Sequence, residues 1–322
     1  MTLLEPLWSQ AGVQSEYMAA MRLAPLLKST TWNNPLASLP GLCCEVLGGK
    51  KEQAASLALV LNLVCAASSL LDDIEDGDLN KELWADLKIG PKGSRLGEGI
   101  AANVSTGLIF SANLALSGLE QYANRAALPI RREFYHTMLQ MCAGQHTDLT
   151  SFEPSLQQCW QIASAKSGLP FSWACWAGAR LMSEDETSLN DFREFGQQLG
   201  MIIQIRDDIA DLWPNQGQNS DLTTGRWTLP VAVAMSVMPQ EGRDRLRHVL
   251  QLAPTEPAAE AAAREIIFES GAVLYLTIEV TRRCRRAKAL LYKLPASPAR
   301  DTLLTILEKT ALLDQLCNPS NA

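Results

Sequence analysis

The sequence predicts an all-α fold, and three observations predict it. Apolar residues recur at three- and four-residue spacing through most of the 322 residues, while alternating, strand-like runs are almost absent. Leucine and alanine dominate, and β-branched runs are short. Two acidic runs with one shared spacing, LLDDIEDGD and QIRDDIADL, each follow an apolar helical stretch in different halves of the chain. A shared site needs both halves in one core. Residues 1–322 therefore read as a single helical domain with a central cavity between antiparallel helices.

In chain order, the helical stretches are separated by breakers: Asn33-Asn34-Pro35, Pro40-Gly41, Gly48-Gly49, Gly90-Pro91, Trp213-Pro214-Asn215 and the span from Pro295 to Pro298. The longest apolar stretch runs from Ala54 to Leu71, at the threshold of about 18 residues for a membrane-spanning helix. It contains Asn62 and three serines and leads straight into DDIEDGD, so it is expected to be a buried central helix and not a span. Near the C-terminus, Arg282, Arg283, Arg285, Arg286 and Lys288 are expected to form a solvated helix face, with a closing lid as the sharper alternative. No solenoid-length repeat or low-complexity linker divides the chain.

Composition narrows the function. A net charge of −7 argues against nucleic acid or an anionic membrane surface as the main partner. Hydrophobic residues make up 47 %, enough for a sizeable core. The eight cysteines are scattered without a CxxC pair and there are three histidines, so neither a zinc site nor a disulfide framework is expected. They read as reduced thiols of a cytoplasmic protein. The start, MTLLEPLWSQ, has neither the basic residues nor the apolar run of a signal peptide.

The acidic runs carry the chemistry. Asp72, Asp73 and Asp76 repeat the spacing of Asp207, Asp208 and Asp211. On a helix the first and last of each trio lie one turn apart on one face, with the middle one flanking them. Carboxylates packed so closely repel each other unless a cation sits among them. Two such faces turned toward each other would hold Mg²⁺ through oxygen, and through it a phosphorylated substrate. A calcium loop of the EF-hand type is excluded, because setting Gly77 at the invariant glycine puts Ile74 and Leu83 where oxygen ligands are required. Lys81, Lys166 and Arg226 follow or flank the runs and would clamp a diphosphate by charge-assisted hydrogen bonds.

These segments resemble the trans-isoprenyl diphosphate synthases, or polyprenyl synthetases, over nearly the whole chain. DDIED resembles the first aspartate-rich motif and GMIIQIRDDIADL the second, with Gln204 in its usual place. DLTTGRWTLP is similar to the D-x-x-x-G-K-x-T-L-P segment, with Arg226 for lysine, and AKSG to the Lys-Thr pair, with Ser167 for threonine. GQHTDL, with Gln145 and Asp148, and LYKLPASPAR also fit. The resemblance implies an isoprenoid-synthase helical bundle with a deep pocket, three Mg²⁺ held by the six aspartates, a homodimer, and departure of diphosphate from an allylic substrate to leave a carbocation.

The chain also departs from that pattern. Elongating members need a second diphosphate site for isopentenyl diphosphate, built from a GGKR motif and a histidine seven residues before the first aspartate. By alignment on CCEVLGG, GGKR falls on Thr31-Trp32-Asn33-Asn34, the histidine on Cys65, and the Arg-Arg pair after the first motif on Asn80-Lys81. Each lost charge-assisted contact would cost about 1.5–3 kcal/mol. The primary expectation is thus a terpene synthase that ionises farnesyl or geranylgeranyl diphosphate without isopentenyl diphosphate. The alternative is a prenyltransferase, elongating with isopentenyl diphosphate or prenylating another acceptor; a non-catalytic partner subunit ranks last. The resemblance also places pocket depth at the residues four and five before the first aspartate, and the small Ser68 and Ala67 there imply room for a fifteen- or twenty-carbon chain and not one of ten. Phe171, Trp173 and Trp176 are candidate cavity aromatics for cation stabilisation, with ordinary core packing as the competing role.

Overall fold

The structure, a computed structural model, describes residues 4–27, 35–75, 77, 95–121, 123–214 and 220–312. Among the described residues there is no strand, and the all-α expectation holds. The helices are α1 (Glu5–Gln10), α2 (Ser15–Leu27), α3 (Leu39–Val46), α4 (Ala55–Glu75), α5 (Arg95–Ser117), α6 (Asn124–Thr150), α7 (Leu156–Ala163), α8 (Leu169–Arg180), α9 (Glu186–Ala210), the single turn α10 (Asp221–Thr224), α11 (Leu229–Val237), α12 (Gln240–Leu252), α13 (Pro257–Glu269), α14 (Ala272–Tyr292) and α15 (Pro298–Ala311).

The chain forms two compact units, each assembled from separated segments. The first comprises residues 1–134, 174–190 and 297–300. Its core is the pairing of α4 with α5. Leu57, Val60, Leu61, Val64 and Ala67 are buried at helical spacing on α4, as are Val104, Leu108, Ala112 and Ala115 on α5. The Ala54 to Leu71 stretch is thus the buried helix its polar interruptions implied. The amino-terminal helices are tied to α5 by the Trp8 indole N–H donating to Ser111 Oγ (2.8 Å) and the Tyr17 hydroxyl donating to the Asn103 carbonyl (2.6 Å). A cleft of about 420 Å³ lies beside these contacts, lined by Tyr17, Ala20, Gly99 and Asn103 among others, and includes none of the predicted site residues.

One predicted breaker is corrected. Pro40-Gly41 does not interrupt a helix but lies in the first turn of α3. There the missing N–H of proline costs nothing, since first-turn donors have no intrahelical partner. Gly48 does break the chain, with a φ of 86° that suits glycine.

The second unit comprises residues 135–173, 191–296 and 301–322. Within it α7 continues through a π-helical turn, Ser164–Gly168, into α8. This segment lies against α9 at very short range because two glycines one turn apart on α9, Gly196 and Gly200, leave room for backbone. A Cβ on Gly196 would run into the Phe171 carbonyl, and one on Gly200 into the Ser167 carbonyl. The remainder is closed by α11, packed on α7 and α14, and by α12 and α13 packed on each other.

Candidate functional site

Both aspartate runs fall at the carboxyl end of a long helix: Asp72 and Asp73 in the last turn of α4, Asp207 and Asp208 in the last turn of α9, and Asp211 one residue past its end. The helix macrodipole is negative there, so acidic side chains are disfavoured unless a cation compensates. In the first unit Asp72 and Asp73 are half-buried. The third member of that run, Asp76, lies outside the described residues, as do Lys81 and the Thr31–Asn34 and Asn80 positions.

The three carboxylates of the second run divide. Asp207 and Asp211, one turn apart, are open to solvent. Asp208 is 5 % exposed and does not flank the pair as expected; its side chain turns inward. One carboxylate oxygen accepts from Gln204 Nε2 (2.6 Å), the other from the Leu229 N–H (3.0 Å). Burial pushes its carboxyl up to about 7, against the pull of those two donors. Asp207 is pushed up to about 6, first by the protein crowded around it and then by Asp211, with Arg206 working the other way. Asp207 nevertheless keeps a solvent-open face, so an arriving cation can reach it.

Local sequence explains how the opposing loop meets this helix end. Gly225, with a φ of 75°, closes α10 in the left-handed conformation, and the chain turns back through Arg226, Trp227 and Thr228 to the start of α11. That turn delivers the Leu229 N–H to Asp208. The Cys159 thiol donates to the Trp227 carbonyl (3.6 Å), tying α7 to the same loop. Burial, with Asp208 and Asp148 nearby, pushes that thiol up to about 12 and keeps it neutral.

The π-helical turn carries the predicted cation. Lys166 Nζ pairs with Asp148 Oδ2 of α6 at 2.7 Å. Its neighbour Ser167 donates to Gln204 Oε1 (2.5 Å), and the Gln197 amide donates to Ser164 Oγ (2.8 Å). Such one-turn bulges in a helix occur frequently at functional sites. The second unit therefore brings together Asp207, Asp208, Asp211, Gln204 and Lys166 with the loop bearing Arg226. The two α9 glycines and the inward role of Asp208 went unread in the sequence. The Gly-x-x-x-Gly spacing in FGQQLG was the available signal for close backbone approach.

Of the predicted cavity residues, Phe171, Trp173 and Trp176 are all buried, at 8 %, 2 % and 5 % exposure, as ordinary core aromatics are. Ala67 is buried and Ser68 half-buried. Cys65 is largely enclosed and its thiol is pushed up to about 11 by burial. The basic stretch on α14 is bound to its own surroundings. Arg282 pairs with Glu279, Arg286 with Glu194 and Lys288 with Glu308, while Arg283 lies over the Trp160 ring at 5.0 Å. That is the arrangement of a solvated, salt-bridged helix face.

Among the described residues no three His, Cys, Asp or Glu side chains converge to hold a metal. Magnesium keeps its waters and binds through one or two carboxylates plus substrate phosphates. Hard carboxylate oxygens at a dipole-negative helix end are the donors it takes, and Asp207 with Asp211 fits it.

The sequence profile of the polyprenyl synthetase family matches residues 37–267. Among individual proteins, the geranylgeranyl diphosphate synthase of Mycobacterium tuberculosis is 25 % identical over 247 residues, covering 73 % of this chain and 67 % of that one. The crystal structure of geranylgeranyl pyrophosphate synthetase from Pyrococcus horikoshii superposes with a TM-score of 0.78 at 20 % identity, over 92 % of this chain and 90 % of that one. The polyprenyl synthase of Caulobacter crescentus, solved with calcium and isoprenyl diphosphate, gives 0.77 at 21 % identity over 96 % of both chains. At these identities the structural matches establish the fold. The names of the relatives side with the alternative reading, chain synthesis, over the terpene synthase expected first.

Proposed function

Because this chain belongs to the polyprenyl synthetase family, we propose that it is a magnesium-dependent prenyltransferase that ionises an allylic prenyl diphosphate and joins the prenyl group to isopentenyl diphosphate. The observation that carries this reading is the Asp207–Asp211 pair, one turn apart and open to solvent at the carboxyl end of α9. Asp208, between them in sequence, is tied through Gln204 and Ser167 to the turn that bears Lys166.

Asp207 and Asp211, and Asp72 and Asp73 of the other run, would hold the divalent cations. When bound, magnesium would supply Lewis-acid stabilisation of the departing diphosphate. The remaining work falls to the chain's own groups. Lys166 and Arg226 would neutralise the diphosphate oxygens, with Lys166 exchanging its Asp148 partner for phosphate. The neutral thiols Cys65 and Cys159 add no competing anion. The family match also supports an expected homodimer. Tyr135, Leu139 and Leu149, exposed on one helix, would supply apolar surface for it, and light scattering should then give twice the 35.2 kDa of one chain.

A second reading has one observation in its favour. Cys65 stands where the resemblance expects a histidine for isopentenyl diphosphate, and a neutral, enclosed thiol is a weak donor to a diphosphate. An enzyme without that site would convert the carbocation internally, as a terpene synthase does. One experiment separates the two. Purified protein is incubated with geranyl, farnesyl and geranylgeranyl diphosphate, with and without isopentenyl diphosphate, in magnesium or in EDTA. A longer prenyl diphosphate appearing only with isopentenyl diphosphate supports the prenyltransferase. Hydrocarbon or alcohol released from the allylic substrate alone supports the second reading. Allylic substrate recovered intact under every condition refutes both.

A further inference from the structure

We propose that Asp208 is a positioning residue and not a metal ligand: it sets the direction of a hydrogen-bond relay that locks the turn carrying Lys166 to the end of α9. The catalytic consequence rests on the function proposed above; the relay itself does not.

Both oxygens of Asp208 are occupied, by Gln204 Nε2 and by the Leu229 N–H, and the residue is 5 % exposed. A carboxylate can only accept hydrogen bonds. Gln204 must therefore point its amide NH₂ at Asp208, which leaves its carbonyl oxygen facing Ser167. Ser167 in turn must donate its proton to that oxygen, as the 2.5 Å contact records. One buried carboxylate thus dictates the direction of both side-chain hydrogen bonds that run from Asp208 through Gln204 to Ser167. The relay is held at short range by Gly200, whose missing Cβ lets the Ser167 backbone approach. It ends beside Lys166, the preceding residue in the turn, which is anchored on its other side by Asp148. Asp207 and Asp211 share the pattern but are exposed.

The test exploits polarity. Asp208→Asn keeps the shape but offers Gln204 a donor, so the amide must flip or lose its bond, and Ser167 loses its acceptor. Adding Gln204→Glu restores every direction. The new amide at position 208 donates its NH₂ to the new carboxylate at position 204, and its carbonyl accepts from the Leu229 N–H. The carboxylate at position 204 also accepts from Ser167, and net charge is unchanged. At pH 8 the relay predicts that Asp208→Asn lowers kcat by about tenfold or more while the half-saturating magnesium concentration stays within about threefold, and that the double variant recovers most of the lost kcat. Thermal unfolding without metal or substrate should follow the same course, with Tm lowered in Asp208→Asn and largely regained in the double variant. A rise of about tenfold in half-saturating magnesium for Asp208→Asn, or a double variant whose Tm loss equals or exceeds the sum of the single losses, overturns the relay. If the wild-type protein turns over no allylic diphosphate, the proposed function fails, and the Tm comparison still decides the relay.

Discussion

The two aspartate runs share a spacing and a location at the carboxyl end of a long helix, yet their surroundings differ. At the end of α4, Asp72 and Asp73 are both half-buried, on a helix without a single glycine. At the end of α9 the trio is split, with Asp207 and Asp211 outward and Asp208 inward. There, two glycines let neighbouring backbone in and a loop N–H reaches the middle carboxylate. Identical residue patterns therefore meet different surroundings, and burial and hydrogen-bond partners, more than spacing, set what a carboxylate can do.

The comparison breaks most visibly in turnover. Asp207→Ala and Asp72→Ala are both expected to lower kcat/KM by about 10³-fold or more, the loss of several kcal/mol of charge stabilisation, with unchanged helical circular dichroism. Activity near wild type in either variant would show that its run holds no essential cation.

Next in size is a pH effect confined to the second run. Asp208 and Asp207 have carboxyls raised to about 7 and about 6 in the folded, metal-free protein, against an ordinary value of 3.8. A folded state that grips protons more tightly than the unfolded chain loses stability as pH rises. The loss starts near the unfolded value and is complete above the folded one. Metal-free stability should thus fall by about 1–4 kcal/mol between roughly pH 4 and pH 7, and Asp208→Asn should remove most of that slope. Denaturant titrations in EDTA across that range measure it, and a flat profile contradicts the burial described.

Gly200→Ala sharpens the packing contrast. A Cβ there meets the Ser167 carbonyl, and the overpacking should cost about 1–3 kcal/mol. Gly99→Ala on α5, where a Cβ meets nothing, should instead be neutral or stabilise by up to about 1 kcal/mol. Equal Tm values for the two would refute close approach at α9. The smallest effect belongs to the basic stretch. Arg286→Ala breaks an exposed pair with Glu194 and should change stability only slightly, within the range of surface ion pairs, with kcat unaltered. A large loss of kcat would revive the lid.

The helical class, the buried character of the Ala54–Leu71 segment and the location of both acidic runs were legible in the amino-acid order, because helical periodicity and like-charge repulsion are local properties that spacing alone expresses. The family resemblance, and not spacing, marked Lys166 and Gln204 as neighbours of the acidic chemistry. What the order of residues could not express was which way each carboxylate faces. Asp207, Asp208 and Asp211 are chemically equal on paper. Only tertiary structure, by bringing the Leu229 N–H to Asp208, which also accepts from Gln204 one turn earlier on its own helix, buried the middle aspartate while Asp207 and Asp211 stay exposed. The physical reason is that desolvation and hydrogen-bond satisfaction depend on a group 21 residues away in sequence, the Leu229 N–H, which the Gly225 turn brings near.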